Sequence, residues 1–118
     1  VRVQRKFRLT RSEDFKRVRR TGKSYAHPLV VLVVQACDMS TNVRVGVAAG
    51  KTTGSAVHRN RAKRLLREAL RPYLSLFASG FDLILIARPP LVKATLQDTR
   101  AALDALFRRA KILPADES

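Results

Sequence analysis

Apolar residues recur along this chain in two rhythms, and the switches between them predict its elements. "PLVVLVVQA", from Pro28, is continuous and β-branched, the pattern of a strand covered on at least one face. Pro28 separates it from a brief strand around residues 24–26. "VRVGVAAG" alternates instead, with Val43, Val45 and Val47 on one face and Arg44, Gly46 and Ala48 on the other. The intervening "CDMSTN" reads as a hairpin turn. A third apolar run, "FDLILIA", predicts a strand that Arg88-Pro89-Pro90 ends.

Three stretches carry the helical rhythm. Thr10 and Glu13 have the spacing of a capping box, which predicts a short helix to about Arg20 with Phe15 and Val18 as its apolar stripe and Thr21-Gly22 as its end. Ala62, Leu65, Leu66, Ala69, Leu70, Tyr73, Leu74 and Phe77 form the stripe of a second helix running to about Ala78. The last begins near Ala94, with Leu96, Thr99, Leu103, Leu106, Phe107 and Ala110 facing the core. The order is helix, two or three strands, helix, strand, helix, and a sheet with helices on one side is the economical packing. A chain of 118 residues, 46% of them apolar, predicts one domain over residues 1–113, with a disordered tail over 114–118.

Charge sharpens this picture. The formal net charge is +15, and 17 of the 24 Lys and Arg residues fall within residues 1–23 and 51–71. Such clustering fits a phosphate-binding footprint better than a solvated surface. Membranes are also anionic, but no apolar run approaches a spanning length and no signal-peptide pattern opens the sequence, so a cytoplasmic protein is expected. Cys37 is alone and reads as a core filler.

The second helix concentrates the chemistry. "HRNRAKRLLREALR" puts Asn60, Arg64, Arg67 and Arg71 on the ridge opposite the apolar stripe, with Arg59 and Lys63 on one shoulder and Arg61 and Glu68 on the other. Arg59 and Arg61 in a first turn would each lose about 0.3–1 kcal/mol to the helix dipole. A phosphate would relieve that strain, meeting free backbone N–H groups and guanidinium forks together. Asn60 suits a base edge or a 2′-hydroxyl.

The run Lys51-Thr-Thr-Gly-Ser-Ala-Val-His-Arg-Asn-Arg-Ala-Lys-Arg-Leu-Leu-Arg-Glu68 resembles the RNR signature of the bacterial ribonuclease P protein subunit. Arg8-Leu9, Glu13-Asp14-Phe15, Val18, Gly22, Arg44-Val45-Gly46 and the Ile84 to Pro89 region extend the likeness over most of the chain. The resemblance implies an α+β fold, a single two-layer domain of order α-β-β-β-α-β-α with a mixed four-stranded sheet and a left-handed βαβ crossover. It implies a ribonucleoprotein whose catalytic RNA, using Mg2+, removes the 5′ leader from precursor tRNA, while the protein binds that RNA and the leader. By resemblance Lys51, Arg59, Asn60, Arg61, Lys63, Arg64 and Arg67 face RNA, and Phe15 and Arg19 line a leader-binding cleft. Arg19 and Val33 stand where many relatives carry aromatics. Charge would then replace part of the stacking, worth roughly 1–3 kcal/mol per base.

Two rival functions follow from the residues. A metal nuclease needs convergent carboxylates, and Glu13, Asp14, Asp38, Asp82, Asp98, Asp104, Asp116 and Glu117 form no paired motif; His27 and His58 are too sparse to suggest a metal site. The protein alone is therefore expected to be inactive, with no catalytic or metal-binding residue of its own, and no obligate protein partner is evident. A ribosomal or other structural RNA-binding protein would share the charge but not the RNR signature.

Overall fold

The computed structural model describes residues 9, 11–37, 43–77 and 80–113. The elements run α1 (Ser12–Thr21), β1 (Lys23–Ala26), β2 (Val30–Ala36), β3 (Arg44–Ala49), α2 (Ala56–Leu70), β4 (Phe81–Ala87) and α3 (Leu96–Ala110), with 3-10 turns over Lys51–Thr53, Arg71–Tyr73 and Pro89–Lys93. The sheet order is β1-β2-β4-β3; β3 and β4 are parallel and the other pairs antiparallel. β2 and β3 are therefore not hairpin partners, which corrects the reading of "CDMSTN"; residues 38–42 themselves lie outside the described residues. β4 takes the place between them because it is apolar on both faces and gains most from two hydrogen-bonded neighbours.

Leu83 and Leu85 of β4 join Val30 and Leu32 of β2 and Val45 of β3 beneath α2 and α3, which contribute Leu66, Leu70, Leu103, Leu106 and Phe107. On the opposite face, Val33 and Ile84 are buried with Val18 of α1 and with Leu9, whose N–H donates to the Val45 carbonyl at 2.9 Å. The helices do not all lie on one side, as the economical packing predicted. β2 and β4 carry branched aliphatics on both faces, and α1 covers the second set.

Several boundaries differ from the sequence pattern for local reasons. Arg11, not Thr10, caps α1 and makes no side-chain cap bond; Thr10 lies outside the described residues. The reciprocal capping box belongs to α3, between Thr95 and Asp98. α2 stops at Leu70 rather than near Ala78, because Pro72 has no N–H to continue the ladder. The apolar spacing persists beyond it, and Tyr73 and Phe77 pack edge-on against Phe107 at 5.1 and 4.8 Å. No helix among the described residues is long and apolar enough to cross a membrane. Residues 114–118, read as a tail, lie outside the described residues.

Candidate RNA interface

The chain enters α2 through a turn that only glycine allows. Gly54 has φ 126° and ψ −153°, and a Cβ there would stand 2.7 Å from His58 Nδ1. Ser55 caps the helix, accepting from the His58 N–H at 3.5 Å. Ala56 is therefore the first helical residue, and Arg59 and Arg61 are the fourth and sixth. This moves Arg61 out of the first turn and leaves Arg59 at its end. The dipole penalty fades beyond that turn, so strain at the helix start is much smaller than the sequence suggested.

The cations are nevertheless presented outward. Asn60, Arg64 and Arg67 are exposed along the ridge; Arg59 and Lys63 are half-buried on one shoulder. Lys51 is exposed on the 3-10 turn before the helix. Arg61 is exposed but anchored, its Nε donating to the Val92 carbonyl at 3.0 Å. Arg59 Nε is shielded from solvent and has no hydrogen-bond partner among the described residues. None of Lys51, Arg59, Arg61, Lys63, Arg64 or Arg67 has a carboxylate partner among the described residues, and Glu68, the acid of α2, pairs with Arg71 at 3.6 Å.

The opposite face of the sheet is ordered in three cross-strand rows. Gln35, Asp82 and Arg44 form a polar row; Val33, Ile84 and Gly46 form an apolar row beside it; Val31, Ile86 and Ala48, with Ala26 of β1, form the third. α1 covers the first two. Phe15 lies over Gly46 so closely that any Cβ there would collide with its ring, and Val33 is buried. The third row is only half covered, and Ala26 is exposed. Phe15, over Gly46, lies beside this strip of aliphatic sheet, and Arg19, four residues further along α1, is exposed. Val33 lies beneath α1 instead of in that strip.

Sequence reasoning missed the polar row. Asp82 is 1% exposed and receives Arg44 in a two-pronged contact, Nε at 3.0 Å and Nη2 at 2.8 Å, while Arg17 Nη2 reaches it from α1 at 2.8 Å. Arg17 also bonds Asp14 at 3.1 Å and Gln35 at 2.5 Å, and Arg44 lies 3.8 Å from Asp14. Burial pushes the Asp82 carboxyl up, but the two arginines outweigh it and hold the group below its ordinary range. The hydrogen bond to Asp82 raises both guanidiniums. The available signal was a single acid inside an otherwise apolar strand. Cys37 is half-buried beside this cluster rather than in the core, its sulfur 3.9 Å from Arg17 Nη1, and burial raises its thiol.

Asp14 and Asp82 are the carboxylates that converge here, and two guanidiniums already occupy them. Their charge is thus already balanced and their oxygens engaged, and the described residues contain no group of three or more His, Cys, Asp or Glu side chains placed to hold a divalent cation. The residues do not fit Mg2+.

A family model described as Ribonuclease P matches residues 3–111. The chain belongs to the ribonuclease P protein family. It is 38% identical over 110 residues to the ribonuclease P protein component of Herpetosiphon aurantiacus, covering 93% of this chain and 89% of that protein. With the Chloroflexus aurantiacus protein component the identity is 36% over 114 residues, covering 96% and 84%. The RNase P protein of Staphylococcus aureus has a similar structure, with a TM-score of 0.80 at 28% identity over 92% of this chain and 98% of that one. The α+β fold with its mixed four-stranded sheet is thus the ribonuclease P protein fold. The chain's role is that of a protein component of this tRNA-processing ribonucleoprotein enzyme, in partnership with its RNA subunit. A ribosomal role is not favoured.

Proposed function

We propose that this chain assists a catalytic RNA in endonucleolytic removal of the 5′ leader from precursor tRNA, docking on that RNA through Lys51, Arg59, Asn60, Arg61, Lys63, Arg64 and Arg67 and holding the leader beside Phe15 and Arg19. The observation that carries this reading is the set of α2 cations without carboxylate partners among the described residues, while Asp14, Asp82, Glu68 and Asp104 are each engaged by arginine. Phosphates are the anions that complete such a surface. Mg2+ is used by the holoenzyme at sites outside these residues, and the cytoplasm is where precursor tRNA would meet it.

The aliphatic strip offers a leader base an apolar floor, Phe15 an aromatic edge, and Arg19 a charge for the backbone. The protein positions; the RNA carries the reaction. Purified protein with magnesium is expected to leave precursor tRNA intact, and addition of the RNA subunit to give cleavage at the mature 5′ end. Clean cleavage by protein demonstrably free of RNA would overturn this assignment.

A further inference from the structure

One wall of the cleft is α1, a short helix set on the face of the sheet away from the main core. α1 is held to the sheet by a small apolar cluster in which only Leu9, Val18, Val33 and Ile84 are fully buried, with Phe15 packed at its margin. Apolar contact is non-directional, so such a patch alone gives a short helix little to fix its register on the sheet. The polar row fixes it. Arg17, two residues from both Phe15 and Arg19, spans Asp14 on its own helix, Gln35 on β2 and Asp82 on β4. Arg44 on β3 closes the arrangement by gripping Asp82 and approaching Asp14. β3, β4 and α1 are thereby tied through one buried carboxylate, and Arg17 adds β2 through Gln35, with bonds that are directional and charge-assisted.

We infer that Asp82, acting through Arg17 and Arg44, is a positioning residue that fixes α1 against the sheet and so sets the width of the strip between Phe15 and the row Ala26, Val31, Ile86 and Ala48. Asp82 is buried and touches no substrate; its influence on the leader passes through the placement of Phe15 and Arg19. This inference rests on the leader-cleft reading above.

Charge gives the test its sign. Asp82→Asn removes a negative charge, so a purely electrostatic role predicts tighter binding of every RNA. Positioning predicts the reverse for one ligand alone. Holoenzyme assembled with Asp82→Asn protein should bind precursor tRNA about tenfold more weakly, with binding of leaderless mature tRNA and affinity of the protein for the RNA subunit unchanged. Arg17→Lys keeps the charge but loses the fork that reaches three partners, and should show the same selective defect at about threefold; it supplies the measurement if Asp82→Asn fails to fold. Precursor binding that is unchanged or tighter in the folded variants would overturn the inference, as would equal losses for precursor tRNA, mature tRNA and RNA subunit, the mark of general unfolding. Phe15→Leu, measured alongside, separates the two levels. A selective precursor defect there with none in Asp82→Asn or Arg17→Lys refutes the positioning role alone; no defect in any of the three refutes the cleft as well.

Discussion

Asp82 shows what a single residue costs and contributes in this fold. A carboxylate at 1% exposure is tolerable only when paired, and here the guanidiniums of Arg44 and Arg17 both donate to it. Its native proton affinity is depressed, so the unfolded chain binds the proton more readily. The stability it provides is fully present above the unfolded value near 3.9 and is lost as pH falls from there through the folded value. Thermal melts of the native protein should therefore decline steeply below about pH 4, and Asp82→Asn should start less stable at neutral pH and decline less. An equally steep acid limb in both proteins would assign acid sensitivity to other carboxylates. The sequence hinted at this residue, since one acid in "FDLILIA" must find partners if the strand is central. It could not name them, because Arg17 lies 65 positions and Arg44 38 positions away.

At the scale of elements, strands were legible where the pattern was unambiguous: "VRVGVAAG" alternates and is β3, and "FDLILIA" is apolar throughout save for Asp82 and is the central β4. Order in the sheet was not legible, because a short polar connection such as "CDMSTN" suits a hairpin and a longer crossing equally. The face taken by α1 was hidden for a similar reason: Phe15 and Val18 define a stripe but not which side of the sheet receives it. In α2 the cationic ridge was read correctly, while its start was set too late and its end overlooked Pro72. That shift changes the expected behaviour of variants. Arg61 holds the Val92 carbonyl, so its removal costs a hydrogen bond; Arg64 and Arg67 are exposed, with no such anchor among the described residues. Replacing Arg64 and Arg67 with Gln should leave the melting temperature of the free protein unchanged or slightly raised and weaken binding to the RNA subunit. The logarithmic salt dependence should flatten by roughly 0.7–0.9 for each phosphate that is no longer neutralised. Arg100→Gln with Lys111→Gln lowers the net charge equally from α3 and its cap and should flatten it far less. Equal effects from the two pairs would mean that bulk charge, not the α2 ridge, binds the RNA.

Across the whole molecule, the sheet separates the two proposed tasks. α2 packs on the face that holds Leu83 and Leu85, and α1 on the face that holds Ile84, so the proposed RNA-docking ridge and the proposed leader strip rest on opposite faces. With a formal charge of +15, the free protein repels itself, and an RNA partner meeting either surface relieves part of that cost. In the proposed division, long-range charge draws RNA to the protein without distinguishing its parts, and short-range geometry separates the subunit from the leader. The ridge of α2 was visible in the sequence because helical periodicity exposes it directly. The strip was not, because it is assembled from β1, β2, β3 and β4 and takes its floor from strand register.

The division of labour is tested most directly by measuring two affinities in two variants: protein for RNA subunit, and holoenzyme for precursor against mature tRNA. Phe15→Leu should lower the precursor-to-mature affinity ratio by about fivefold or more, the lower end of what base stacking supplies, while leaving subunit affinity intact. The Arg64→Gln, Arg67→Gln double variant should lower subunit affinity and, once saturated with RNA, leave the ratio intact. Parallel losses of both quantities in both variants would contradict the account, because they would mean that α1 and α2 serve one undivided RNA-binding surface.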